Sequence, residues 1–256
     1  MRKVFLSAGH GGKDPGAVGN GLKEKDLNLS IMLGCAEYLR RRGIDVVCSR
    51  VCDEDDPVAE EVREANASGA DLAVSFHNNA GGGDGSETWY YANSDRSRRL
   101  AVLLEGATKS MGQNSRGVKP TTSLWFLRGT TMNAALCETA FIDSPDIEFI
   151  DRKNECYAVG TAYGSAICQF LNWKEVYDTT QVTASEFQPY LIRVKCPLNY
   201  RTAPGVENKR AGMINDKNVY TIVEERKSSD GGTWGRLKSG AGWINVSRSF
   251  VEVVSI

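Results

Sequence analysis

Between residues 4 and 171, short apolar runs rich in β-branched and aromatic residues alternate with amphipathic segments, an order that few folds accept. Residues 4–8, 44–49, 70–76, 87–91 and 135–142 read as strands, and residues 26–42, 58–68, 95–112 and 152–171 as helices. The first helix is the clearest. Leu27, Ile31, Cys35 and Tyr38 or Leu39 share one face, and Arg40, Arg41 and Arg42 fill the last turn before Gly43, where cations suit the helix dipole. This alternation predicts an α/β fold with a mostly parallel sheet flanked by helices. The pattern breaks near residue 175. Beyond it helical periodicity is lost and residues 178–183 read as a linker. Short strands at 218–226, 233–238, 243–246 and 250–254 then alternate with turn signals such as Ala203-Pro204-Gly205 and Ser229-Asp230-Gly231-Gly232, the texture of a small all-β barrel. The expected organisation is one domain over 1–175, a linker over 176–188 and a second domain over 189–256.

Composition narrows the functional classes. Apolar residues at 41% and charged residues at 25% are ordinary globular values, which excludes disordered, collagen-like and coiled-coil chains. A net charge of -1, with the first part slightly acidic and the tail slightly basic, supplies no basic stripe, so nucleic acid is not an expected partner. No run approaches the ~18 apolar residues of a membrane span, so no membrane is expected either. The seven cysteines contain no CxxC pair and their number is odd, which argues against a disulfide framework and a zinc ribbon and for buried small hydrophobes. The N-terminus enters a strand within four residues, without an apolar segment of signal-peptide length, so synthesis and folding are expected in the cytoplasm.

The chain has two histidines, and both stand where an α/β sheet places function. His10 follows the first strand in Ser7-Ala8-Gly9-His10-Gly11-Gly12, and His77 follows the run 70–76 in Ser75-Phe76-His77-Asn78-Asn79. Ligands bind open α/β sheets at the carboxyl ends of strands, so the two can converge although far apart in sequence. The glycines around His10 do not form a phosphate loop, because Asp14 stands where a dinucleotide fingerprint needs Gly and where a P-loop needs Ser or Thr. A catalytic zinc takes three protein ligands and leaves one position open, and two imidazoles call for a carboxylate. Asp14, Glu24 and Asp26 are the candidates, and periodicity does not choose among them. Glu138 lies in the apolar run Ala135-Leu136-Cys137-Glu138-Thr139-Ala140-Phe141, where a carboxylate needs a partner or a task. Hydrolysis at neutral pH needs a base that takes a proton from the attacking water and returns it to the leaving amine, and a desolvated glutamate near a cation suits it. The rival is a cysteine hydrolase with Cys137 as nucleophile and His77 as base. Strand alternation opposes it, since Cys137 and Glu138 face opposite ways.

The runs Gly9-His10-Gly11-Gly12-Lys13-Asp14-Pro15-Gly16-Ala17, Glu24-Lys25-Asp26-Leu27-Asn28-Leu29, Arg63 with Ala65-Asn66, Ser75-Phe76-His77-Asn78-Asn79-Ala80 and Leu136-Cys137-Glu138-Thr139-Ala140-Phe141-Ile142-Asp143 resemble, in order and spacing over residues 1–172, the zinc-dependent N-acetylmuramoyl-L-alanine amidase family. The resemblance implies Zn2+ held by His10, Glu24 and His77, Glu138 as catalytic acid/base, and a six-stranded α/β core. Two residues depart from the family pattern: Thr139 replaces a hydrophobic residue and Phe76 an aliphatic one. The tail, with Leu198-Asn199-Tyr200-Arg201-Thr202-Ala203-Pro204-Gly205 and Trp243-Ile244-Asn245-Val246, resembles a bacterial Src-homology-3-type wall-binding domain, whose Tyr200, Tyr220, Trp234 and Trp243 serve as groove or as core. The resemblance therefore implies cleavage of the muramic acid to L-alanine amide in bacterial peptidoglycan, with the tail bound to a wall polymer. The expected setting is a phage or prophage endolysin that reaches the wall once the membrane is breached, with a host autolysin or sporulation amidase as the alternative.

Overall fold

The run Val4-Phe5-Leu6 at the N-terminus is apolar on both sides, as a central strand of a covered sheet must be, and all three side chains are buried. The computed structural model describes residues 2–151, 153–173, 187, 189–206, 208–216, 218–228, 232–247 and 250–255. They divide into two compact units, Met1–Val176 and Tyr177–Ile256. The expected linker at 176–188 lies, apart from Phe187, outside the described residues.

In the first unit the elements follow in the order β1 (Lys3–Ala8), β2 (Val18–Gly19), β3 (Leu22–Lys23), α1 (Glu24–Arg41), β4 (Asp45–Cys48), α2 (Val58–Ala67), β5 (Leu72–Asn79), β6 (Ser86–Tyr91), α3 (Asp95–Ser110), β7 (Ser115–Thr121), α4 (Trp125–Gly129), β8 (Asn133–Phe141) and α5 (Lys153–Phe170). Six strands form one sheet in the order β4-β1-β5-β8-β6-β7, while β2 and β3 pair with each other. All neighbours in the large sheet are parallel except β6 and β8, which run antiparallel. The mostly parallel α/β sheet expected from the alternation is present.

The two faces of this sheet are covered unequally. On one, Val4, Leu6, Val74, Phe76, Ala135 and Cys137 pack with Ile31, Cys35 and Leu39 of α1, Leu100 and Leu104 of α3, and Val159, Tyr163 and Ile167 of α5. Helices α1 and α5 approach closely because glycines meet backbone there: a Cβ on Gly160 would lie 2.0 Å from the Ile31 carbonyl oxygen, and one on Gly34 2.5 Å from that of Tyr157. On the other face Phe5, Ala73 and Leu136 pack with Val62 and Ala65 of α2 and Phe126 and Leu127 of α4. This cover is short, since α2 has 10 residues and α4 has 5, and it leaves the carboxyl ends of the strands open.

The second unit is all β: β9 (Tyr190–Val194), β10 (Leu198–Arg201), β11 (Arg210–Ile214), β12 (Val219–Lys227), β13 (Thr233–Leu237), β14 (Trp243–Asn245) and β15 (Val251–Ser255). They form a seven-stranded sheet in the order β11-β10-β14-β13-β12-β9-β15. Ile192, Val194, Ile214, Ile222, Leu237, Ile244 and Val251 make its core. Trp234 and Trp243 are buried, whereas Tyr200 and Tyr220 are half-buried at its edge.

Candidate metal centre and its crevice

The loop after β1 turns sharply at His10, whose backbone lies in the left-handed region (φ 65°), an uncommon conformation for a residue with a side chain. This aims the imidazole back over the sheet. Gly9 makes the approach possible, because a Cβ there would sit 2.1 Å from His77 Cε1. His77 lies within β5, which runs through to Asn79, rather than just after a strand as the sequence suggested. The two rings stand edge to face with centroids 5.1 Å apart.

Glu24 joins them. It is the first residue of α1, two positions before the expected start, and its buried carboxylate lies between the rings. Oε2 is 3.2 Å from His10 Nε2, and Oε1 is 3.0 Å from His77 Nδ1. The backbone N–H groups of Ala17 (2.8 Å) and Asn78 (3.1 Å) also donate to Glu24, as does Asn28 Nδ2 (3.2 Å). Among the described residues His10, Glu24 and His77 form the one cluster whose metal-type donor atoms all lie within 4.8 Å of one another. Of the other carboxylates considered from sequence, Asp14 meets the far nitrogen of His10 (Nδ1–Oδ2 2.8 Å) and Asp26 is exposed. An imidazole with one nitrogen on a carboxylate and the other facing the donor cluster is the arrangement found around metal-ligating histidines.

The electrostatics agree. Burial works to raise the Glu24 carboxyl, but hydrogen bonds from His10 and His77 outweigh it and hold Glu24 far below the usual carboxylate range. The hydrogen bond to Glu24 lifts His10 to about 9. His77 is raised too, since its bond to Glu24 and the nearby Glu138 outweigh its burial.

Glu138 is the Cα partner of His77 across the parallel pair β5–β8, so the two side chains stand side by side on the thinly covered face. Its Oε2 is closed off from solvent without a hydrogen-bond partner. Burial pushes this carboxyl up to about 7, with His77 pulling it down and Glu24 and Glu87 pushing it up. Cys137, by contrast, is fully buried on the opposite face, and desolvation drives its thiol far above its ordinary value.

Several residues without a role in the sequence reading hold this site. Arg50, almost fully buried, donates to the carbonyls of Ala8 (2.9 Å), Lys25 (2.7 Å) and Cys52 (3.1 Å), tying the end of β1 to the start of α1. Asn28 donates to the Gly9 carbonyl (2.9 Å) and accepts from Asn78 Nδ2 (2.8 Å), which locks helix, loop and strand together. A cleft of about 510 Å³ runs from His10 and His77 past Asp55, Asp56 and Glu61 to Leu124, Trp125 and Phe126.

Three metal-type donors, from the loop after β1, the start of α1 and the end of β5, beside a desolvated carboxyl and an open cleft, define an α/β enzyme of hydrolytic type with a candidate metal centre. The sequence profile described as N-acetylmuramoyl-L-alanine amidase matches residues 4–169, and the chain belongs to that family. The endolysin of Bacillus phage SPP1 is 38% identical to it over 182 residues, covering 67% of this chain and 67% of its own length. The sporulation-specific N-acetylmuramoyl-L-alanine amidase of Bacillus subtilis is 36% identical over 180 residues, covering 68% of this chain and 70% of its own. The crystal structure of N-acetylmuramoyl-L-alanine amidase from Clostridium difficile 630 matches with a TM-score of 0.64 at 31% identity, covering 68% of this chain and 98% of that one.

Proposed function

We propose that this chain hydrolyses the amide between N-acetylmuramic acid and L-alanine in peptidoglycan, with Zn2+ held by His10, Glu24 and His77 and with Glu138 as acid/base. The observation that carries this reading is the convergence of two imidazoles and a buried carboxylate beside a glutamate whose Oε2 has no partner. That donor set, with one position left for water or substrate, is the kind that holds a catalytic zinc. Bound there, zinc supplies Lewis-acid polarisation of the scissile carbonyl and favours ionisation of water near neutral pH. Glu138 accepts the proton of the attacking water and delivers it to the nitrogen of the departing L-alanine. Asp14 orients the His10 ring, and Asn28 and the Asn78 N–H fix the Glu24 carboxylate.

Likeness to the phage endolysin supports a role in lysis of the host wall, and similar likeness to the sporulation amidase supports a host enzyme as second reading. In this reading the enzyme is made in the cytoplasm and reaches the wall through a breached membrane. The second unit is read as a small Src-homology-3-type barrel that binds a wall polymer. Mass spectrometry of digested peptidoglycan tests the chemistry: new L-alanine amino termini are expected, together with loss of activity in chelator and recovery with zinc. A glycosidic cut, or full activity in chelator, overturns it. Deleting residues 176–256 should abolish pelleting on purified walls, and undiminished pelleting removes the binding role from the tail.

A further inference from the structure

The row of side chains that crosses the sheet at His77 continues beyond Glu138. Glu138 and Glu87 are direct partners across the antiparallel pair β8–β6, so both leave the same face. Glu87 is nearly buried and receives four donors: Asn79 Nδ2 (3.2 Å), Trp89 Nε1 (3.2 Å), Arg116 Nε (2.7 Å) and Lys119 Nζ. Arg116 and Lys119 stand three positions apart in β7, and in a regular strand such residues face opposite sides. They reach the same carboxylate because the strand carries an extra residue. Ser86 pairs with Ser115 and Thr88 with Val118, so two steps on β6 are matched by three on β7, with Gly117 in a left-handed conformation (φ 81°) inside the step.

This bulge gathers two cations on one carboxylate at the edge strand, leaving a surplus positive charge. Both remain reachable, with side-chain exposures of 41% for Arg116 and 31% for Lys119. Arg116 engages Glu87 through Nε alone, and its terminal nitrogens donate to no described residue. The cleft beside His10 and His77 has a different character, lined by Asp55, Asp56 and the exposed Trp125 ring. The centre is thus bordered by an acidic, aromatic cleft and, along the row through Glu138 and Glu87, by a cationic pair on the edge strand.

We propose that Arg116 and Lys119 form a specificity subsite for a free carboxylate of the stem peptide, on the leaving-amine side of the scissile bond, while the neutral sugar side lies along the Trp125 cleft. The proposal rests on the amidase reading. β7 lies two strand spacings from Glu138, about 10 Å, which an extended peptide covers in about three residues. The subsite therefore reads the second or third residue of the stem. Bidentate capture of a carboxylate is what an open guanidinium fork does best.

The test compares muramoyl tripeptides whose second- and third-residue carboxylates are either free or amidated, cleaved by the full zinc-loaded chain. The unmodified protein should favour the free acids at least tenfold in kcat/KM, mainly through KM, and 0.5 M salt should shrink that preference. In R116Q/K119Q the ratio should fall to within twofold of one, while the charge-keeping swap R116K/K119R should retain most of it. Zinc content and thermal midpoint report whether each variant is folded. Equal cleavage of both peptides by the unmodified protein overturns the subsite and leaves the amidase reading standing. So does a glutamine variant that loses both substrates in equal proportion. Cleavage of neither peptide overturns the amidase reading and the subsite together.

Discussion

Replacing Glu138 by Gln separates what this side chain does for the reaction from its cost to the fold. Burial raises the carboxyl from an ordinary value of 4.5 to about 7. An acid raised in this way contributes stability that is whole below its unfolded value and is lost as pH climbs through its folded value. At ~1.4 kcal/mol for each pH unit between the two, the charged form destabilises the metal-free fold by at most about 3 kcal/mol at pH 8. Glutamine cannot ionise. In urea unfolding with chelator present, Glu138→Gln should therefore gain on the unmodified protein from about pH 5 to pH 7 and level off above that, up to about that figure. Any effect of shape or of the unpartnered oxygen enters as a constant offset, so the slope isolates the ionisation. The same variant should keep its zinc and lose turnover by a factor of 10² to 10⁴, the range for a general acid/base. A stability difference that does not change with pH would refute the burial argument, and retained turnover would refute the base.

Three further substitutions probe the surroundings. Glu24→Ala removes the carboxylate between the two imidazoles, so zinc measured after dialysis should fall below half of the normal content, and normal content would return the third ligand to Asp14. Cys137→Ala should leave turnover within threefold and lower stability by about 1 kcal/mol, the scale of a small buried truncation; a dead but folded variant would revive the cysteine mechanism. Gly160→Ala places a Cβ 2.0 Å from the Ile31 carbonyl oxygen. The roughly 1 kcal/mol helix preference of alanine is then outweighed by strain of about 1–3 kcal/mol, so the thermal midpoint should drop, and an unchanged or higher midpoint would contradict the close helix contact.

Much of the first unit was legible because its strands and helices are apolar in periodic ways. β7 was not. Ser115, Arg116, Gly117, Lys119 and Pro120 carry no alternation, and an edge strand with one neighbour needs none. The short α4 escaped for a similar reason, since one turn and a half has no period to read. At the site, His10 and His77 were legible from scarcity and strand-end placement, whereas the choice among Asp14, Glu24 and Asp26 turns on where a loop folds back on a helix. Arg50 and Glu87 passed unnoticed because their partners are remote: Arg50 reaches Ala8 and Lys25, and Glu87 reaches Arg116 and Lys119. The two departures from the family pattern explain each other. Phe76 packs on Tyr163 with ring centroids 5.4 Å apart, and the Thr139 and Tyr163 hydroxyls lie 3.2 Å apart, so both meet one residue of α5.

Register connects the fold to the chemistry. Along β5 and β8, residues alternate between a face sealed by α1, α3 and α5 and a face packed with α2 and α4. His77 and Glu138 stand on the open face, while their neighbours Phe76 and Cys137 stand on the sealed one. A slip of one residue in either strand exchanges these sets. It would bury an imidazole or a carboxylate among the α1 and α5 side chains and present Phe76 or Cys137 to the crevice. The apolar residues of the sealed face therefore fix which side chains can reach a substrate. The same pairing carries the row outward from β8 to Glu87 of β6 and, through the bulge, to Arg116 and Lys119 of β7. The residues proposed to react and those proposed to read the substrate thus share one line across the sheet, set by the packing on its other side.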